Sequence, residues 1–152
     1  MSGFVHLHVH SEYSLLDGAA RIGDIIAKAK ALGQPAIAIT DHGAMYGVVD
    51  FYNAAKKAGI KPILAYVAAD LHEKTSKDRE YAHLLLLAKT QQGYQNLMQL
   101  CSIGFLKGYY YKPRIDYDTL EKYSEGLICS SACIGGDLPQ MLLQGRMEDA
   151  RA

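Results

Sequence analysis

The sequence lacks the features that would place the chain in a membrane or outside the cell. No run of apolar residues approaches the roughly 20 that are needed to cross a bilayer. The first four residues, Met1-Ser2-Gly3-Phe4, have neither the basic nor the apolar region of a secretion signal. The three cysteines are odd in number and lack the spacing of a disulfide-stabilised secreted domain. We therefore expect a cytoplasmic protein that has no disulfides and no membrane partner.

The chain also lacks an excess of charge of either sign. Sixteen basic and sixteen acidic side chains cancel, so no overall field attracts the chain to nucleic acid or to an anionic membrane. Any affinity for DNA must be local or must come from a partner. There is no repeat, linker or low-complexity segment, and 152 residues of which 49% are hydrophobic and 21% charged are typical of one globular domain.

Histidines alternate with apolar residues near the amino terminus, at His6, His8 and His10. In an extended strand alternate side chains share a face, so the spacing predicts three imidazoles on one side of a strand. Neutral imidazole is a common ligand of zinc. A single histidine here would more often face solvent, but three of the chain's six at this spacing favour a metal site. The polar turn that follows would bring Asp17 back over the strand end as a further candidate ligand.

Hydrophobic periodicity predicts strands that alternate with helices. The expected strands cover residues 5–10, 35–40, 61–68, 82–88 and 127–130. The expected helices cover about 21–32, 48–58, 91–106 and 119–123, with a further one from residue 138 onward. In the second helix Val49, Tyr52 and Ala55 are expected to face inward, and residues 70–80 to form a surface loop. The alternation predicts an α/β protein built from parallel βα units, in which the loops after the strands carry the chemistry.

Several metal-binding residue types lie at the ends of these predicted strands. His42 and Cys133 follow strands, as Asp17 does, and His83 lies at the start of another. Each has a structural alternative: His42 as a turn histidine bonded to backbone, His83 as a satisfied core histidine, and Cys133 as a small apolar side chain. Only the set together favours a metal centre, because a centre with several ions needs many ligands.

A loop rich in tyrosine, residues 109–111, is followed by Lys112 and Arg114. Aromatic rings beside cations could stack the bases and pair the phosphates of single-stranded DNA. The alternative is a packed surface loop. The zero net charge favours the packed loop.

Three segments resemble the amino-terminal PHP (polymerase and histidinol phosphatase) domain of the bacterial DNA polymerase III alpha subunit. They are HLHVHSEYSLLDG at 6–18, AITDHGAMYG at 38–47 and YYYKPR at 109–114. They occur in the family's order and at similar spacing, and the resemblance covers nearly the whole chain. It favours the replicative polymerase over free-standing members of the family.

This resemblance implies a distorted (β/α)7 barrel that holds up to three metal ions, commonly zinc or manganese, and hydrolyses phosphoester bonds. In polymerases with an intact site the implied activity is a 3′ to 5′ exonuclease, and in others the domain serves structure and partner docking. By motif, the ligand positions carry over to His8, His10, Asp17, His42, His83 and Cys133. Further candidate ligands are His6, Asp41 and Asp70.

The sequence departs from the family pattern in two places. After Lys61-Pro62-Ile63 the family has a Gly-x-Glu whose Glu bridges metals, whereas residues 64–68 here contain no acid. A later Asp-x-His motif is absent before Ala152. We therefore expect residues 1–152 to be the amino-terminal portion of the PHP domain, without the palm, fingers and thumb of a polymerase. The barrel should be incomplete, and the site should bind fewer ions and have little or no phosphoesterase activity.

Three hypotheses about function follow. The leading one is a portion of a replicative, DNA-directed DNA polymerase (a nucleotidyltransferase), which works with the rest of the polymerase, with replisome subunits and, through them, with DNA. The second is a free-standing metal-dependent phosphoesterase that acts on nucleotides or sugar phosphates. The third is a non-catalytic structural module. In each case an open sheet with unpaired edges favours self-association.

Overall fold

Helices and strands alternate along most of the chain. The computed structural model describes residues 3–15, 17–71 and 82–151, and for residues 70 and 71 it describes the backbone alone. The helices are α1 (Ile22–Ala31), α2 (Val48–Ala58), α3 (Gln91–Leu106), α4 (Tyr117–Lys122) and α5 (Asp137–Leu143). The strands are β1 (Ala36–Ile39), β2 (Lys61–Leu71), β3 (Ala82–Ala88), β4 (Arg114–Asp116) and β5 (Leu127–Ser130).

The long strand β2 is the centre of the sheet. Its first half pairs in parallel with β1, its second half pairs antiparallel with β3, and its last residues pair in parallel with β4. Strand β5 extends the sheet as an antiparallel neighbour of β3. The predicted α/β class and the parallel β1–α2–β2 unit are confirmed. The pairing is mixed, however, because β3 and β5 are antiparallel to their neighbours.

Two helices cover one part of this sheet with an apolar core. Helix α1 buries Ile22, Ile25, Ile26 and Ala29, which pack with Ile37, Ile39 and the buried face of α2. Helix α2 ends at Gly59, whose φ of 75° is in the left-handed region that glycine adopts without strain. The termini of α2, β3 and α3 agree with the sequence predictions.

The buried face of α2 is shifted by one position from the predicted face at two of its three residues. Val48, Phe51 and Ala55 are buried, whereas Val49 is 61% exposed and Tyr52 is 44% exposed. Both sets have helical spacing, so periodicity alone could not separate them. The face with Phe51 packs against the core, and the inward orientation expected for Val49 and Tyr52 was wrong.

The expected strand at residues 5–10 is not a regular strand. The segment runs beside β1, where the amide of Ala38 donates to the carbonyl of His6 (2.9 Å) and the amide of Thr40 donates to that of Val9 (2.8 Å). The advance of two residues from Ala38 to Thr40 along β1 therefore matches the advance of three residues from His6 to Val9 along the histidine segment, as at a β-bulge. The extra residue interrupts the alternation, so the expectation that His6, His8 and His10 share one face was wrong.

Two further differences concern short segments. Strand β4 was not predicted, because three residues of which two are charged give no apolar signal. The expected loop at 70–80 begins inside β2, which extends to Leu71, and residues 72–80 lie outside the described residues. Within the described ranges, no helix combines the length and the apolarity required to span a membrane.

Candidate metal centre

A buried carboxylate fixes the histidine segment to the end of β1. Asp41 is 2% exposed, and its two oxygens accept hydrogen bonds from the amide of Ser11 (2.6 Å) and the hydroxyl of Ser11 (2.8 Å). Thr40 adds a second link, because its hydroxyl accepts from the amide of Val9 and donates to the carbonyl of Val9. These bonds satisfy a charge that would otherwise be costly to bury. Asp41, a further candidate ligand, thus positions the residues on either side of it.

The neighbours of Asp41 and Ser11 are His42 and His10, and their rings stack with centroids 4.3 Å apart. The ring of His8 lies 4.9 Å from that of His10, and the ring of His83 lies 5.1 Å from that of His42. Four imidazoles from three parts of the chain therefore form one continuous group.

A carboxylate and a thiol complete this group. Nε2 of His42 lies 2.9 Å from Oδ2 of Asp17, and Sγ of Cys133 lies 3.4 Å from Nδ1 of His83. Ligand atoms of His10, Asp17 and His42 all lie within 4.8 Å of one another. The structure thus brings together the six ligand candidates that the family motifs indicated. We call this set the histidine cluster: His8, His10, Asp17, His42, His83 and Cys133.

The loop after β5 delivers Cys133 to the cluster. The amide of His83 donates to the carbonyl of Gly135 (3.1 Å), which ties this loop to the start of β3. A Cβ on Gly136 would lie 2.2 Å from the carbonyl oxygen of Ser131, so the turn has room for glycine alone. The thiol is held beside the imidazole by backbone that is itself fixed.

The other two further candidate ligands are His6 and Asp70, and the structure places only His6 apart from the cluster. His6 packs edge-on against Phe4, with centroids 4.7 Å apart, and lines a groove beside α1 together with Val9. The backbone of Asp70 pairs with Ala82 and Ile115, but its side chain lies outside the described residues. Ligation by Asp70 therefore remains a prediction.

Burial and mutual repulsion lower the pKa of three imidazoles of the cluster, those of His8, His42 and His83. Burial, followed by the proximity of His10, lowers the pKa of His42 to about 4, although Asp17 acts in the opposite direction. Burial is also the largest cause that lowers the pKa of His8 and of His83. For Asp17, burial raises the pKa, but the hydrogen bond with Ser14 and the nearby His42 and His10 outweigh it, so the pKa is lowered. Near pH 7 the imidazoles of His8, His42 and His83 are therefore neutral and Asp17 is a carboxylate, which are the forms that bind metal.

The cluster also contains a buried imidazole nitrogen that could serve as a metal ligand. Nδ1 of His10 is buried, and within the described part of the chain it has no hydrogen-bond partner. Buried polar atoms are nearly always paired, so an unpaired imidazole nitrogen beside a carboxylate and another imidazole fits a metal-ligand position. Nitrogen, oxygen and sulfur donors together are the set that zinc commonly takes.

A cavity of about 410 Å³ opens onto the cluster. Asp17, His42 and His83 line one part of it, and Tyr46, Phe105 and Lys112 line another. The charge of Lys112 is near enough to His83 to contribute to the lowered pKa of that imidazole. The sequence analysis did not predict that Tyr46 or Phe105 would line this cavity. Tyr46 is part of the 38–47 motif but was not among its candidate ligands, and Phe105 continues the apolar stripe of a helix.

The two candidate nucleic-acid contacts have different surroundings. Lys112 is exposed and lines the cavity. Arg114 is 3% exposed, its Nε donates to the carbonyl of Gly108, and its guanidinium lies over the ring of Tyr110 at 5.1 Å. Arg114 therefore holds the tyrosine-rich loop in place, and Lys112 is the cation of the pair that faces a ligand space.

The part of β2 that is seen to line the cavity contains no acid. Residues 61–69 of β2 contain no Asp or Glu. Val67, Ala68 and Ala69 instead line the cavity with apolar side chains. The acid that the family has after residue 63 is therefore missing from the wall of the cavity itself.

Comparisons with known proteins agree on one family. A family model described as PHP domain matches residues 6–152. The DNA polymerase III subunit alpha of Borreliella burgdorferi is 57% identical over 99% of this chain and 14% of that protein. The subunits of Treponema pallidum and Thermus aquaticus are 49% and 47% identical, over 97% and 98% of this chain and 13% of each relative. The chain thus spans 14% or less of the length of these three relatives.

Two solved structures share the fold. An amidohydrolase from Chromobacterium violaceum, with bound sulfate and no metal, superposes with a TM-score of 0.51 and 25% identity over 66% of this chain and 32% of its own. A protein from Bifidobacterium adolescentis described as a candidate metal-dependent phosphoesterase gives a TM-score of 0.50 and 17% identity over 68% of this chain and 34% of its own. The second likeness is one of fold alone.

Proposed function

The chain belongs to the PHP domain family, and from this premise we propose that it is the metal-binding PHP portion of a DNA polymerase III alpha subunit. In this proposal residues 1–152 are part of a longer, cytoplasmic polymerase chain and act in DNA replication. The other partners are the remainder of the polymerase, the replisome subunits and, through them, DNA. The relatives support this function, because all three of those compared carry that name.

The convergence of the histidine cluster is the observation that carries the metal-binding part of the proposal. His10, Asp17 and His42 would hold one ion, and His83 with Cys133 would contribute to a second position. Zinc or manganese is the expected metal, and the mixed donor set favours zinc. A bound ion would polarise a phosphoryl oxygen and lower the pKa of a water molecule.

The chain's own residues would prepare the site for a phosphate ester. Lys112 supplies a positive charge at the cavity wall, and Oδ2 of Asp17 lies 2.9 Å from Nε2 of His42, so both groups can face one ion. The residues of β2 that line the cavity, Val67, Ala68 and Ala69, add apolar side chains. These features favour binding of a phosphate at the cluster.

Hydrolysis should nevertheless be weak. A pair of ions that acts on a phosphoester is usually held close together by a shared carboxylate, and β2 offers none between residues 61 and 69. The same observation favours a second candidate function, a structural module that keeps its metal and has no turnover. The third function, a free-standing phosphoesterase, is disfavoured by the same observation, because it would require an active site.

A hydrolysis assay separates these functions. The protein loaded with zinc or manganese is incubated with a 3′-labelled single-stranded oligonucleotide and, separately, with a chromogenic phosphate ester. We expect turnover at or near background for the wild type, and the same for His10→Ala and His6→Ala. Turnover that survives in His6→Ala and disappears in His10→Ala would establish an active phosphoesterase and overturn the proposal of a weak or inactive site.

A further inference from the structure

Three aromatic rings lie in a row, and two of them, Tyr46 and Phe105, line the cavity. The ring of Phe105 lies 6.3 Å from that of Tyr46 and 6.1 Å from that of Tyr109, the second pair being nearly parallel at 23°. Tyr46 and Tyr109 are each 59% exposed, and Phe105 is half-buried between them. We call these three residues the aromatic row. They come from three separate segments, so the fold and not the sequence brings them together.

Part of the aromatic row and part of the histidine cluster line the same cavity. Tyr46 and Phe105 line it together with His42, His83 and Lys112. The turn that holds His42 and Gly43 packs closely against the loop that holds Lys112 and Pro113, because a Cβ on Gly43 would lie 2.9 Å from Cγ of Pro113. The same cavity thus offers a cation, metal-ligand side chains and aromatic rings.

This juxtaposition suits a ligand that carries both phosphate and aromatic groups. Every nucleobase has a π-face that stacks on aromatic side chains without regard to sequence, and Lys112 complements the phosphate. Because the chain has no net charge, an electrostatic field alone would not hold such a ligand. Three rings in a row provide more than one platform, which favours a strand over a mononucleotide.

We propose that the aromatic row stacks the bases of single-stranded DNA whose phosphates reach Lys112 and the histidine cluster. The inference rests on the proposed function, since it names the side chains beside the same site that would hold the DNA bases. Tyr46 and Tyr109 are the main platforms because their faces are the exposed ones. Phe105 fixes the distance between them.

The absence of tryptophan makes this testable by fluorescence. The chain has no Trp, so Tyr109→Trp introduces a single reporter into the aromatic row. Titration with an oligothymidylate should quench this fluorescence, because a stacked base contacts the indole. An abasic oligonucleotide with the same number of phosphates should leave it unchanged. Both titrations are made at one fixed salt concentration and with a chelator present, so hydrolysis does not interfere.

Substitutions then measure the contribution of each ring. Tyr46→Ala and Tyr109→Ala should each weaken oligothymidylate binding by about 5- to 150-fold, which corresponds to the ~1–3 kcal/mol found per stacked base. Tyr46→Phe keeps the ring and should bind as the wild type does. Tyr52→Ala is the matched control, because Tyr52 is an exposed tyrosine that does not line the cavity. It should leave the affinity unchanged.

The inference is overturned if the wild type fails to bind oligothymidylate, binds the abasic strand equally well, or loses as much affinity in Tyr52→Ala as in Tyr46→Ala. Equal affinity for thymidine monophosphate and the oligonucleotide would also overturn it. These readouts need no metal, so they stand apart from the proposed function. A protein without metal would refute that function and leave the base-stacking result intact.

Discussion

His42 lies where burial and neighbouring imidazoles oppose its protonation. Its pKa falls to about 4 from an ordinary value of 6.5, mainly through burial. Between these two values the unfolded chain binds a proton at His42 and the folded chain does not. Stability therefore falls as the pH is lowered through this window, and the contribution is fully present above pH 6.5.

This shift predicts the stability of the metal-free protein. The urea midpoint of the wild type should decrease as the pH falls from about 6.5 to about 4, and His8 and His83 contribute in the same direction. His42→Gln keeps a donor for Asp17 but cannot titrate, so its midpoint should depend less on pH. His6→Gln, outside the cluster, should behave as the wild type does. A midpoint that rises on acidification would contradict the assigned shift.

At the same scale, most of the candidate site could be foreseen and one part could not. The family motifs indicated the six residues that the fold brings together. The separate position of His6 depends on the extra residue opposite Ala38 and Thr40, which is a property of the pairing and leaves no mark in the histidine spacing. The aromatic row depends on where a turn, a helix end and a loop meet, so its residues carried no common signal.

Among the elements, α2 shows what periodicity can and cannot determine. The bounds of this helix followed from the apolar pattern and from Gly59, which stops it. Its buried face did not follow, because the predicted and observed sets share Ala55, differ by one position at the other two residues, and both recur at helical spacing. Packing against α1 and β1 makes the choice, and Phe51, with no exposed surface, fills the shared core.

The assignment of this face can be tested by paired substitutions. Phe51→Ala should lower the free energy of unfolding by about 3–5 kcal/mol, since it removes a fully buried ring and leaves a cavity. Tyr52→Ala changes the next residue, which is 44% exposed, and should cost less than about 1 kcal/mol. Urea denaturation measures both values. An equal loss in the two variants would contradict the observed register.

Strands β4 and β5 show that the pairing of short strands could not be predicted from the sequence. The apolar start of β5 was visible in the sequence, but its antiparallel pairing with β3 was not, since alternation of helices and strands suggests parallel neighbours. Strand β4 is specified by its place beside β2, where Ile115 is fully buried. Both depend on partners distant in the chain.

For the whole molecule, the arrangement of the sheet bears on association. Among the described strands the path β1-β2-β3-β5 ends at β5, where Ile128 is 50% exposed. An exposed apolar residue on a terminal strand favours pairing with another chain. An open sheet was expected because the family barrel would be incomplete in this chain, whereas the position of the edge at β5 comes from the structure.

We therefore predict that the chain self-associates through this edge. Light scattering should show an apparent mass that rises with protein concentration, and Ile128→Lys should shift the distribution toward monomer because a charge on an edge strand opposes pairing. Val49→Lys places the same charge on an exposed position of α2 and serves as the control. A monomer at every concentration, or an equal effect of both lysines, would argue against association through β5.

Elemental analysis of purified protein measures whether the histidine cluster binds metal. The wild type and His6→Ala should carry zinc or manganese, because His6 lies outside the cluster. His10→Ala and His42→Ala should each lose at least about tenfold in metal affinity, with circular dichroism showing that they remain folded. A natively folded wild type without metal, or a His10→Ala variant that retains as much metal as His6→Ala, would contradict the account.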